Sequence, residues 1–343
     1  MKNSQLLQTI QKTSTDVNVL WGIDRNLISL LRDSYLSTLK NNLITQTVLK
    51  ELDTFLKGKD ISCIVWKGAS SIFEVYPAPG LRPMDDIDLL IPRDHLKKFE
   101  RILMQMEFEQ SLEYPMTWLR NNITLDLHCD VVHSDRIAAR LKAIPITAEK
   151  LIRKSRILRN FQNILTLSPY DALICLAVHA LKHDYSKEIW FTDTIYLLNR
   201  NPEIANHPGA IFQRAKDFHA TTPLYILFSL LEKWPQNLTF KFVNRMRPKE
   251  TGPIHNLFLK SFKSGRCVPH AGEFFFLFLI DSYRHKIEFF RETMFPSQQV
   301  MKQLFPDKHL MPYWFYYPHR LFQLTRMGII TLINLIQSSN RKR

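Results

Sequence analysis

Glycine is scarce in this chain: 9 residues in 343, against 18 prolines. A glycine-built dinucleotide turn has little material here, and no internal repeat or low-complexity stretch is evident. Cysteines are as sparse. Cys63, Cys129, Cys175 and Cys267 lie far apart and form no CxxC pair, which argues against a disulfide framework or a zinc–cysteine site and fits a reducing cytoplasm. Long apolar runs are missing too. The first residues hold no apolar core followed by a small-residue cleavage site, so no signal peptide is expected. The most apolar stretches, 274–280 and 327–336, are too short to span a bilayer. The second runs towards Arg341, Lys342 and Arg343. It reads first as a helix packed on its own domain, and secondly as one lying on a membrane surface.

What is present is ordinary for a folded protein, with 45% hydrophobic residues. A chain of 343 residues exceeds the usual reach of one core, so two subdomains are expected. The net charge of +14 is unevenly spread: residues 1–200 hold 26 Lys and Arg against 23 Asp and Glu, and residues 201–343 hold 20 against 9. A basic second part attracts anions such as nucleotides, nucleic acid or acidic partners, with Arg245, Arg247, Lys249, Lys260, Lys263 and Arg266 as its candidate surface.

Apolar spacing predicts two or three helices over 4–58, a strand at 61–66, a helix at 68–74 and a proline-rich loop at 76–83. A strand follows at 86–91, then a helix to about 106 with Asp94 as its N-cap, and strands near 113–119 and 122–132. Helical spacing dominates afterwards, from Pro169 and near 188–199, 209–218, 222–234, 273–292 and 319–337. The fold class is therefore α+β: N-terminal helices over 1–58, a sheet domain over 59–150 and a basic helical domain over 151–343.

One acidic strand carries the chemistry. Alternation puts Asp86 and Asp88 on one face, with Ile87 and Leu89 on the other and Asp85 turned away. Neighbouring carboxylates repel unless a cation sits between them, and hard ions such as Mg²⁺ suit such oxygens. In the strand containing Leu125, Asp126, Leu127 and His128, the leucines point to a core, and Asp126 and His128 share the polar face. If the two strands pair, Asp86, Asp88 and Asp126 can hold two Mg²⁺ ions roughly 4 Å apart, and Asp126 is placed to accept a proton from an attacking hydroxyl. Lys67, Gly68, Ser70 and Ser71 open a helix after the first strand, a natural phosphate cradle. Arg82 is free either to neutralise triphosphate charge or to pair with Asp85. His179 and His183 share a helix face, but Ala180 stands where a zinc protease needs glutamate. Trp190 and Asp193 read as packing and capping between lobes, and the aromatic run 313–317 as core or lobe contact.

The string Lys67-Gly68, Tyr76-Pro77, Gly80-Leu81-Arg82-Pro83 and Asp86-Ile87-Asp88, followed by Leu125-Asp126-Leu127-His128, His179, His183, Trp190 and Asp193, resembles a bacterial family of uncharacterised nucleotidyltransferases. That family lies within the DNA polymerase β-like superfamily, and the likeness covers roughly 60–200. It implies a polymerase β-like catalytic domain, Mg²⁺ (or Mn²⁺ in its place), a nucleoside triphosphate as co-substrate and an unidentified hydroxyl acceptor. Asp86, Asp88 and Asp126 would be the catalytic and metal residues, with Lys67, Gly68, Ser70, Ser71 and Arg82 on the nucleotide. The superfamily's Gly-Ser is here Gly68-Ala69-Ser70, which leaves the triphosphate grip open. The competing reading is a fold retired from catalysis that binds nucleic acid or a partner.

Overall fold

The computed structural model describes residues 25–232, 243–249, 252–265, 267–305 and 312–340. Expectations on residues 1–24, on Arg266 and on the basic ending at 341–343 lie outside these.

Helix α1 (Arg25–Leu56) is one continuous helix; the two or three helices expected over 4–58 lie partly outside the described residues. No glycine or proline interrupts it, and Val48, Leu49, Leu52 and Leu56 form a buried stripe along it. There follow β1 (Ile64–Val65), α2 (Lys67–Glu74), β2 (Ile87–Leu90), α3 (Arg93–Gln105), β3 (Glu109–Gln110), β4 (Thr117–Arg120) and β5 (Ile123–His128). Pro92, not Asp94, caps α3; Asp94 lies inside the first turn, where its charge meets the helix dipole. Beyond α4 (Arg140–Ala143) and α5 (Ala148–Ile152), the strands β6 (Arg156–Ile157) and β7 (Leu165–Thr166) carry the sheet past residue 150.

The remainder is helical: α6 (Pro169–Lys182), α7 (Glu188–Arg200), α8 (Glu203–Asn206), α9 (Pro208–Asp217), α10 (Thr221–Leu231), α11 (Pro253–Ser264), α12 (Ala271–Leu279), α13 (Tyr283–Met294), α14 (Gln298–Leu304) and α15 (Tyr317–Asn340). The single helix expected over 273–292 is broken between α12 and α13, where Ile280 and Ser282 adopt extended backbone. None of the helices described is long and apolar enough to cross a membrane.

The seven strands form one mixed sheet in the order β3-β4-β5-β2-β1-β7-β6, confirming the α+β class. The sheet divides two cores. Ile87, Leu89, Leu125 and Leu127 pack against α1 and α3. Ile64, Trp66 and Leu90 face the helical side, where α6 runs through the second core. Apolar nearly all round, α6 can only be an interior helix. Its one buried charge near the start, Asp171, receives the Arg214 guanidinium at 2.6 and 3.0 Å.

At its other end α6 is hooked to α12. Asp184 accepts the backbone N–H groups of His270 and Gly272 at 2.8 and 2.6 Å. A Cβ on Gly272 would stand 1.7 Å from the Leu181 carbonyl oxygen, so only glycine permits this approach. Gly272→Ala should therefore destabilise by about 1–3 kcal/mol or more. Gly209→Ala, with open space around it, should stay within about 1 kcal/mol of the parent. Urea midpoints of the two variants test this, and equal midpoints would contradict the close packing.

Candidate active site

Parallel pairing of β2 and β5 sets Asp88 directly beside Asp126, and Leu90 beside His128. Both strands alternate, so these polar side chains leave the α1–α3 core and face the helical side. Ligand atoms of Asp88, Asp126 and His128 all lie within 4.8 Å of one another. Asp86, just before β2, lines the same cleft but stands outside that tight group. The structure thus gathers an Asp-Asp-His cluster where the sequence suggested three aspartates.

Two cationic or polar groups answer the buried charge of Asp88. Lys67 Nζ donates to its Oδ1 at 2.7 Å, and His128 Nε2 lies 2.8 Å from the same oxygen. Burial pushes the Asp88 carboxyl up, but Lys67 and His128 outweigh it and hold the group well below the usual range. Asp86 goes the other way. Burial, and then the charges of Asp88 and Asp126, raise it to about 6. Asp126 is fixed by the Thr117 hydroxyl from β4, which donates to Oδ1 at 2.6 Å. Lys67 reaches its post from a left-handed backbone, φ 53°, at the first residue of α2. For a non-glycine residue such a conformation costs on the order of 1–3 kcal/mol and marks a position held by its surroundings.

The cluster opens into a cleft of about 520 Å³ whose walls include Lys67, Gly68, Asp86, Asp88, Asp126 and His128. From the helical side it is faced by Arg136, His179, Lys182, His183, Lys187 and Trp190. Acid on the sheet faces the positive charges of Arg136 and Lys187 across the cleft, an arrangement suited to an anion bound through a cation. His179, His183 and Trp190 pack ring against ring at 4.7–5.7 Å. Burial lowers His183 to about 4 and His179 well below its usual value, so neither is charged near neutrality. Lys182, at the end of α6, is depressed to about 7 by burial and then by Arg140.

The remaining sequence candidates divide. Ser70 bonds Thr166 at 2.7 Å, and Ser71 donates to the Lys67 carbonyl at 2.8 Å. Both line a separate small pocket behind α2, not the acidic cleft. Arg82 lines the cleft yet pairs neither with Asp85 nor with open space. Its guanidinium clasps Asp193 of α7 at 2.7 and 2.8 Å, and Tyr76 donates to the same carboxylate at 2.7 Å. The loop bearing it is strapped to α1: Asn42 donates to the carbonyls of Pro79 and Arg82 at 2.6 and 2.9 Å. A Cβ on Gly80 would strike the Tyr35 ring at 2.5 Å. The Tyr-Pro…Gly-Leu-Arg-Pro string therefore builds the cleft wall. Among the basic residues of the second part, Arg247, Lys260 and Lys263 line a small pocket with Tyr225. Trp314 and Phe315 are exposed and stacked on each other, away from any core.

Sequence reasoning did not pick out Lys182, Arg136 or His133. A signal existed for Lys182: with His179 and His183 it makes a polar end to an otherwise apolar helix. Arg136 and His133 lie in an irregular loop whose pattern carries no such sign.

Against known proteins, one family model matches residues 2–236, that of an uncharacterised nucleotidyltransferase. No curated protein and no solved structure matches the chain.

Two outcomes follow from this geometry. Arg82→Ala strands the buried Asp193 carboxylate and should cost about 3–5 kcal/mol in chemical denaturation; a loss under 1 kcal/mol would show the clasp to be dispensable. Lys182 carries its proton in the unfolded chain up to about 10.5 but in the folded chain only to about 7. Between those values the folded state binds fewer protons, so stability rises with pH. Lys182→Met should therefore be more stable than the parent at pH 7, with an advantage that shrinks by pH 9. An advantage that stays constant would place the lysine in water.

Proposed function

The chain belongs to this uncharacterised nucleotidyltransferase family, and from that premise we propose that the cleft moves a nucleoside monophosphate from a nucleoside triphosphate to a hydroxyl acceptor, releasing pyrophosphate. The observation that carries the reading is the Asp88–Asp126 pairing, set opposite Lys67 at the start of α2 and facing a basic wall.

The donor set suits a divalent cation. Two carboxylates and an imidazole converge within 4.8 Å, and carboxylates this close repel unless positive charge joins them. Asp88, Asp126 and His128 would hold it, with Asp86 at hand in the same cleft. Carboxylates suit Mg²⁺ or Mn²⁺, and the imidazole moves the preference towards Mn²⁺. When bound, such an ion supplies positive charge to the triphosphate and eases loss of the hydroxyl proton.

The chain's own groups do the remaining work. The first turn of α2 offers backbone N–H groups to a phosphate, while Gly68 lets the Arg82 guanidinium and Met84 pack close against that turn. Lys182, Lys187 and Arg136 complement phosphate charge from the helical wall, and phosphate binding would return Lys182 to its charged form. Asp126, held by Thr117, accepts the acceptor's proton as its oxygen attacks the α-phosphorus. The Arg82–Asp193 clasp keeps the wall opposite in place.

The test is incubation with each nucleoside triphosphate labelled at the α-phosphate, with Mg²⁺ or Mn²⁺ and cell extract as acceptor. Asp88→Asn and Asp126→Asn should each lower label transfer by at least about 100-fold while circular dichroism stays that of the parent. Transfer that survives both substitutions, or a folded parent that binds no nucleotide, would refute the assignment.

A further inference from the structure

A second cavity adjoins the cleft. It measures about 820 Å³, within the range of small-molecule sites, and is formed between the 136–140 segment and helices α12 to α15. Arg136 lines both spaces. The α6–α12 hook sets the second beside the first: Lys182, on the cleft wall, feels the charges of Arg140 and Glu273, which line the second cavity.

The lining is of two kinds. Phe274, Phe289, Leu324, Met327 and Ile330 give an apolar part. Arg136, Arg140, Arg320 and Arg326 give a cationic part, against Glu273 and Glu292. Both acids are engaged within the fold: Glu273 takes the Arg140 guanidinium, and Glu292 accepts the Ala139 N–H at 2.9 Å. Arg320 makes no ion pair among the described residues. It donates through Nη1 to Gln323 at 2.9 Å, while its Nε is buried without a partner, as is the Nε of Arg140. Buried guanidinium donors left unmatched beside an apolar wall describe the imprint of an anionic group on an apolar body.

We propose that this second cavity is the acceptor site, and that the acceptor is a hydroxyl-bearing amphiphile whose anionic head pairs with Arg320 and whose apolar body lies along Phe274, Met327 and Ile330. The assignment of the cavity as acceptor site rests on the nucleotidyl-transfer reading. The hydroxyl end extends past Arg136 to the cleft. There its oxygen forms a bond to the α-phosphorus, the bond from that phosphorus to the bridging oxygen breaks, pyrophosphate leaves with the electron pair, and the hydroxyl proton passes to Asp126 and then to water.

Calorimetric binding of ω-hydroxydodecanoate and of dodecyl phosphate to the full chain tests the cavity without requiring turnover. At least one of the two anions should bind, and the uncharged dodecanediol should bind at least about tenfold more weakly. Arg320→Gln should weaken the anion about tenfold or more. Ile330→Glu should do the same from a position that is 40% exposed and tolerant of change. Nucleotide binding should be unaltered in both variants, and Asp88→Asn should leave amphiphile binding intact. Failure of both anions to bind, or equal affinity in the parent and the two variants, would overturn the proposal. So would label transfer to extract acceptors at the parent's rate in both variants. A parent that binds the amphiphile but never transfers label would refute the activity instead, and with it the acceptor role, while leaving the ligand class of the cavity supported.

Discussion

Two negative charges side by side on adjacent strands are the constraint to which the rest of this molecule responds. The register that pairs Asp88 with Asp126 also pairs Ile87 with Leu125 and Leu89 with Leu127. The apolar contacts that bury the sheet against α1 and α3 therefore enforce the repulsion on the opposite face. A one-residue slip of either strand would relieve the carboxylates only by turning that strand's two core residues, Ile87 and Leu89 or Leu125 and Leu127, towards the cleft. The hydrophobic effect thus holds in place what electrostatics would disperse. Lys67 on its left-handed backbone, His128 and the Thr117 hydroxyl each offset part of what remains.

The cleft wall shows a different economy of charge. Arg82 and Asp193 are both buried, more than a hundred residues apart in sequence, and each would be costly alone. Joined by two hydrogen bonds and by Tyr76, they fix the loop before β2 against α7. The loop then enters β2 from a defined direction, and Asp86 and Asp88 arrive where the cleft needs them. Arg82, which lines the cleft, is a tie between the sheet and the helices.

Much of this was legible before the structure. Alternation in 86–91 and 123–128 separated core from cleft, whereas the two-residue strands β6 and β7 are too short to show a period and fell within the stretch read as helical. The legible part is the part governed by local periodicity. For Arg82 the sequence left a phosphate and Asp85 as alternatives and did not suggest Asp193, because that partner lies on another element and no local pattern announces a bidentate pair. The serines after Gly68 were assigned to phosphate because hydroxyls at a helix start so often bind it, yet the turn of α2 carries Ser70 and Ser71 behind the helix. α1 ran on as one helix because nothing in its sequence stops it, whereas 273–292 broke at Ile280 without a glycine or proline to signal it.

The Gly272 contact has a consequence of another kind. It is a single rigid rivet between α6, which lies within the residues shared with the family, and α12, which lies beyond them. Most of the second cavity's wall comes from that later part of the chain. A rivet of backbone against backbone does not depend on which side chains line the far wall. Lineages sharing residues 2–236 could therefore exchange the lining residue by residue while the distance from that wall to the aspartates stayed constant.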